Sequence, residues 1–438
     1  MNILVIGNGF DLAHDLPTRY QDFLGFVERF LNIINTPQIL QQGGLNNAEK
    51  SVYEYINHLI FSEQKLCKEL EQLVKDNIWI EYFLQNPMYQ KENWIDFESE
   101  ISKVIQSLDQ DMFPKDGKKL EKSELSETMG NLSNTFLYKK YAKYTTSIRA
   151  VSALTHEKCE SITYKEIRDR LYNDLNKLIR ALEIYLTDYV EKIECNYVLP
   201  DIEEIVKENV RSSDGKEQIK YCKVLCFNYT NTYERLYLDK QQTQKCIDYI
   251  HGRAKLLNTM ENNNMVLGID EYLTDERKNK ETEFIAFKKF YQRIYKGTGC
   301  KYKDWVETIQ EEYDDFLQEK ERIINRANEY VGNDIERMIH RLQASEIRER
   351  KCKMHNVYIF GHSLDITDKD ILRELILNEN VYTTIFYLNR DVMGQQIANL
   401  VKIIGQDELI RRTGGRSKTI EFRQQRECVR KSMGLPKN

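Results

Sequence analysis

The stretch "NILVIGNGFDLAHDLPTRYQDFLGF", residues 2–26, decides how the chain is read. Four apolar residues, Ile3–Ile6, stop at Gly7-Asn8-Gly9. An acid, Asp11, follows, then a Leu16-Pro17-Thr18 turn and the helical spacing of Tyr20, Phe23, Phe26 and Phe30. A short continuous apolar run closed by glycines is the mark of a strand covered on both faces. Glycines between such a strand and a helix permit positive φ and let backbone N–H groups approach a phosphate. The dinucleotide fingerprint G-x-G-x-x-G needs a third glycine at position 12, where Leu12 stands, so that fingerprint is incomplete. By itself the segment reads equally as a tight strand-to-helix turn.

The same pattern returns along the chain. Lys223–Phe227 runs into Asn228-Tyr229-Thr230, and Val357–Phe360 runs into Gly361-His362-Ser363. Ile247–Ile250 before His251-Gly252 and Thr383–Leu388 before Asn389 are further strand candidates, with Val266–Ile269 a weaker one. Between them lie long tracts of helical spacing: 18–110 with a polar break near 41–47, 136–195 after a polar loop at 111–135, and a charged tract at 275–350 broken near Gly297. The expected fold is α/β, with a Rossmann-like, mostly parallel sheet and large helical insertions. The core is expected in residues 1–30, 221–272 and 354–438, with insertions at 31–220 and 273–353. No Pro/Gly/Ser-rich linker separates them, so the insertions should pack on the core.

The composition narrows the class. The chain has 438 residues, 41% hydrophobic and 30% charged, enough for a large core. A formal charge of −5 argues against nucleic-acid binding through bulk charge, although a local basic patch stays open. No apolar run approaches the ~18 residues that cross a bilayer. The N-terminal run is too short and lacks the basic start of a signal peptide. Nine scattered cysteines without a CxxC pair suit reduced thiols in a cytoplasmic protein. Seven dispersed histidines without ligand spacing argue against a metal site.

Several residues could carry chemistry, and each has a plain structural reading beside it. Asp11 is either a helix-start acid, worth roughly 0.3–1 kcal/mol to the dipole, or a ribose contact. Asn228 stands at a strand end, where ligands of parallel sheets bind. Its amide could orient a water or a sugar hydroxyl, or simply close an Asx-turn. His251, also at a strand end, could be a general base or a packing histidine. Gly361-His362-Ser363, with Asp365, Asp368 and Asp370 behind it, offers another strand-to-helix turn, but lacks the second glycine of a nucleophile elbow. Glu98, in Trp94-Ile95-Asp96-Phe97-Glu98, reads first as a helix-start acid and second as a residue at a site mouth. The order of these segments, each at an expected strand end, carries more than any one of them.

Taken together, "IGNGFDLAHDLPTRYQDFLGF", "WIDFE", "FNYTNTYERL", "IHGRA", "FKKFYQRIYKGTG" and "YIFGHSLDITDKDIL" resemble the AbiH family of bacteriophage abortive-infection proteins over essentially the whole chain. The segment N-G-F-D-L-A-H-x-L-P-T is the most specific. Asp15 stands where members typically have glycine before Leu-Pro. A more distant likeness is to SIR2-like defence NADases, which carry a G-A-G loop with a downstream L-P, then T-N-Y-D, H-G and G-Y-S-x-x-D in that order. Here Asn8 sits between the glycines, Thr230 stands where an acid is common, and His362 replaces an aromatic.

That likeness implies a nucleotide ligand, NAD, as substrate or bound cofactor. It makes Asn228 and His251 the catalytic pair and places Gly7, Asn8, Gly9, Phe10, Asp11, Gly361, His362, Ser363 and Asp368 in the binding loops. The Gly7–Gly9 N–H groups would hold the pyrophosphate. It implies an anti-phage effector that hydrolyses the nicotinamide–ribose bond. The alternatives are a nucleotide-binding sensor or RNA-targeting effector without that hydrolysis, and a purely structural partner protein. A phage-derived trigger and a homo-oligomer are the expected partners, the helical tracts being candidate surfaces for either.

Overall fold

The structure is a computed structural model that describes residues 1–35, 47–112, 164–195, 197–211, 217–238, 246–427 and 429–430. The polar loop expected at 111–135 lies outside the described residues from 113 onward, as do positions 136–163 of the helical tract after it.

Six strands form the central sheet: β1 (Asn2–Ile6), β2 (Lys223–Cys226), β3 (Ile247–Tyr249), β4 (His355–Phe360), β5 (Val381–Tyr387) and β6 (Ile420–Gln424). Their order is β3-β2-β1-β4-β5-β6, and every neighbouring pair is parallel. This 3-2-1-4-5-6 order is that of a doubly wound nucleotide-binding sheet, and it puts the switch point at β1, between β2 and β4. Parallel strands flanked on both faces must be apolar throughout. Residues Ile3–Ile6 accordingly show no more than 1% exposure, alternating between two cores. Ile3 and Val5 join Leu225, Val357, Ile359, Leu375 and Trp305 on one face. Leu4 and Ile6 join Phe10, Val224, Ile202, Tyr233 and Phe360 on the other.

A third apolar cluster is helical. It unites α2 (Tyr20–Asn35), α3 (Phe97–Met112) and α4 (Tyr164–Ile184) with the helices at Asn47–Ser62, Gln64–Val74 and Ile78–Leu84. Phe23, Phe83 and Phe97 interleave at its centre, Phe83 and Phe97 stacking at 4.2 Å. After α4 the chain winds through a π-turn, Tyr185–Tyr189, a distortion frequent near functional sites. Tyr185 Oη there donates to Pro17 O at 2.8 Å, fixing the Leu-Pro turn against the helical layer. Asp15 before that turn has φ +59°, the left-handed conformation where glycine is at home and aspartate is tolerated.

The tract at 275–350 folds into α5 (Lys289–Lys296), α6 (Lys301–Glu329) and α7 (Asp334–Glu349). Gly297, at φ +61°, ends α5 as a left-handed C-cap. Val266–Ile269 is not a strand: it makes one isolated bridge, Ile269 to Lys288. No helix among the described residues is long and apolar enough to cross a membrane.

Candidate functional site

A cavity of about 360 Å³ opens at the carboxyl ends of β1, β2 and β4. Its floor is where two glycine turns meet backbone to backbone. Gly9 N–H donates to Gly361 O at 2.8 Å, and Gly7 N–H to Phe360 O at 3.1 Å. A Cβ on Gly9 would sit 2.7 Å from Gly361 Cα, and one on Gly7 would sit 2.8 Å from Gly361 O. Gly361 holds φ +67°, and a Cβ there would fall 2.3 Å from Phe10 N. These glycines therefore serve loop–loop approach. Of the Gly7–Gly9 N–H groups expected to hold a pyrophosphate, those of Gly7 and Gly9 are bonded to Phe360 O and Gly361 O at the end of β4.

The centre of the site is the Asp368 carboxylate. His251 Nε2 lies 3.2 Å from its Oδ1, and His362 Nε2 lies 3.5 Å from its Oδ2. Lys289 Nζ on α5 reaches Oδ1 at 3.3 Å and Glu98 Oε2 on α3 at 2.7 Å. All five side chains line the cavity. Burial alone would raise Asp368, yet the Lys289 ammonium and the His251 hydrogen bond hold it well below the usual carboxylate range. An ionised carboxylate only accepts, so both histidines carry their proton on Nε2. Leu364 N–H donates to His362 Nδ1 at 2.9 Å, which fixes the same tautomer independently.

His251 Nδ1 is then a bare lone pair. It is fully buried and has no hydrogen-bond partner. Burial pushes the imidazole below its ordinary value against the pull of Asp368, so it is neutral at physiological pH. Phe227 stands edge-on to both imidazoles, with ring centroids 5.4 and 4.3 Å away, and holds their planes. A neutral imidazole oriented through one nitrogen, with the other unpartnered, is the arrangement of a general base.

Asp11 makes a second unusual group. Thr230 Oγ1 donates to its Oδ2 at 2.7 Å, while Oδ1 is buried with no partner. Burial drives its carboxyl up to about 6 against that hydrogen bond. Glu98 is likewise raised by burial to about 7, opposed by Lys289. Asn228 Nδ2 donates to Gly7 O at 3.1 Å, tying the turn after β2 to the turn after β1. Asn8 Oδ1 accepts from Thr18 Oγ1 at 2.6 Å across the Leu-Pro turn.

Gly7, Asn8, Gly9, Asp11, Asn228, His251, Gly361, His362, Ser363 and Asp368 all line this one cavity. Phe10 does not. Its ring is fully buried and packs on His14, Tyr237 and Phe360 beneath the floor. Sequence reasoning missed Lys289, which sits in the tract at 275–350 that reads only as charged and helical. Its signal was the spacing of Lys289 and Gln292, both buried on the inward face of α5. Among the described residues no group of His, Cys, Asp and Glu is disposed to hold a metal ion.

The family model described as bacteriophage abortive infection AbiH matches residues 3–388, nearly the whole chain. That span contains every residue of the cavity, β2 to β5 whole and β1 from Ile3 onward. Neither the curated proteins nor the solved structures contain a match to the chain.

Proposed function

The chain belongs to the AbiH family of bacteriophage abortive-infection proteins, and within that anti-phage role we propose that its cavity takes the ribosyl end of NAD and hydrolyses the nicotinamide–ribose bond in the manner of SIR2-like NADases. One observation carries the reading: a neutral His251, oriented by Asp368, lines the cavity and has an Nδ1 without a hydrogen-bond partner.

The bond between ribose C1′ and the pyridinium nitrogen breaks with its electron pair going to nicotinamide, which leaves neutral. No general acid is required. Water supplies the new C1′–O bond, and its proton passes to His251 Nδ1. Asn228, held by its amide nitrogen, would present its side-chain oxygen to the water or a ribose hydroxyl. Asp11 Oδ1, buried and unpartnered, suits a second hydroxyl. The transition state carries oxocarbenium charge. Asp11, Asp96, Glu98, Asp365 and Asp368 surround the space against one lysine, Lys289. Preorganised carboxylates stabilise such a developing cation. The same field disfavours a diphosphate inside, so the phosphates would lie toward the mouth.

The test is incubation of purified protein with NAD, with and without phage lysate, and chromatography of the products. Release of nicotinamide and ADP-ribose, lost in His251→Ala, is expected. Tight NAD binding with no nicotinamide under any condition would sink hydrolysis and assign the cavity to sensing.

A further inference from the structure

The α6–α7 hairpin leaves one apolar stripe uncovered. On α7, Ala344 and Ile347 are buried on one face, while Ile335, Met338, Ile339 and Leu342 stand 76%, 63%, 48% and 59% exposed on the opposite one. Their i, i+3, i+4, i+7 spacing is that of a helix seam, and single exposed apolar residues do not fall into such register by default. Helical side chains at these positions form one continuous row, two turns or ~10 Å long, on a 16-residue helix. None of them lines the cavity.

The stripe is self-complementary. A two-fold axis passing between Met338 and Ile339 sets Ile335 of one copy against Leu342 of the other, and Met338 against Ile339. The flanks agree with this register. Asp334 and Arg341 lie on the same side of the stripe, one heptad apart. Same-side flanks meet when two helices run antiparallel, so each Asp334 comes within ~3 Å along the axis of the other copy's Arg341, in reach of its long side chain. Glu336 falls beside Gln343. Asp334 is 96% exposed and among the described residues pairs only with Arg337, at 3.2 Å within its own turn, a surface contact worth about 0–1 kcal/mol and readily exchanged. In a parallel pair Arg341 would meet Glu346, but Asp334 would face Ile339 and the helix dipoles would align head to head.

We propose that this stripe is a self-association surface, on which a second copy of the chain docks α7 against α7 antiparallel. Flanking charges of this kind set partner choice and orientation in helix pairs. One helix pair buries less than the ~1,600 Å² of a standard interface, so the dimer should form in the micromolar range.

Sedimentation equilibrium of the full chain over that range tests it. The wild type should pass from one to two copies as concentration rises. Met338→Glu should weaken association at least tenfold and leave the far-ultraviolet spectrum unchanged. Asp334→Arg and Arg341→Asp should each weaken it, and the double variant should restore it. A wild type that stays monomeric overturns the proposal. So does a dimer indifferent to Met338→Glu, or a double variant no better than its singles.

Discussion

His251 acts as a base only while its Nδ1 is unprotonated, and two neighbours set when that holds. Burial lowers its pKa and Asp368 raises it, with burial prevailing. The rate should therefore be flat through neutral pH and fall on an acid limb centred below 6.5, as protons occupy Nδ1. Asp368→Asn removes the raising partner, so the limb should move further toward acid. The asparagine amide can donate its Nδ2–H to Nε2, which turns the imidazole to the tautomer protonated on Nδ1. Turnover should then drop by about 10²–10⁴, the usual worth of general-base help. A pH profile of kcat/KM for nicotinamide release checks both statements, and an unchanged limb in Asp368→Asn would remove Asp368 from the role of orienting group. Asp11 gives a stability counterpart. Its carboxyl sits at about 6 in the fold against 3.8 in the open chain. Because the folded value is the higher one, its contribution is fully present below about pH 4 and is lost as pH rises through 6. Asp11→Asn keeps an acceptor for Thr230 and carries no charge. It should melt above the wild type at pH 8, by an amount on the order of a few kcal/mol, and equal it at pH 4. An equal difference at both values would mean that the Asp11 charge is not the cause. A site that keeps a destabilising group for ligand contact is the ordinary stability–activity compromise.

At the scale of the element, the turns at strand ends decide the site, and their glycines are not interchangeable. Gly361 combines φ +67° with a Cβ position 2.3 Å from Phe10 N. Gly361→Ala should cost more than about 2 kcal/mol, since left-handed strain alone is worth 1–2, and should open the floor of the cavity. Asp15, at φ +59°, already carries a Cβ in the left-handed region. Asp15→Gly should be neutral or stabilising by up to about 1 kcal/mol. Urea unfolding of the two variants separates close approach from backbone strain: comparable losses in both would be the wrong sign for this account. These turns were legible in the sequence because a glycine after an apolar run has few meanings. Strand β6 was not. Ile420-Glu421-Phe422-Arg423-Gln424 alternates apolar and charged residues and forms a half-exposed edge, whereas the sequence reading sought the continuous apolar runs of central strands. Val266–Ile269 misled for the complementary reason: the segment is apolar because it is buried, and its one bridge to another strand-like segment is at Ile269.

The whole molecule adds what no single motif contains, a cavity made by two layers. The sheet contributes the turns after β1, β2 and β4. The helical layer contributes Tyr20 from α2, Glu98 from α3 and Leu186 from the π-turn. Lys289 joins them, bonded to Glu98 on one side and Asp368 on the other. Sequence order announced the sheet half, since its residues follow strands. The helical half depends on which face of α3 and α5 turns inward, and that is fixed only by packing. Glu98 looked like an ordinary first-turn acid, and nothing singled out Lys289 in its charged helical tract. The joint construction predicts how a bound nucleotide is felt. A ligand held only by the turns would protect the turns. A ligand held by both layers must restrain them together, because opening either one releases it. At a hundredfold excess over Kd, binding contributes about 2.7 kcal/mol, enough to slow every opening that exposes the cavity by roughly a hundredfold. Hydrogen exchange with and without NAD should therefore show slowed amides in Phe97–Met112 and Lys289–Lys296 as well as in Gly361–Asp368. Sheet-turn protection without any change in α3 and α5 would mean that the ligand does not enter the cavity between the layers. Protection in both, lost together in Lys289→Met while the sheet strands β1 and β4 stay as slow as before, would identify that lysine as the link through which the layers close on the ligand.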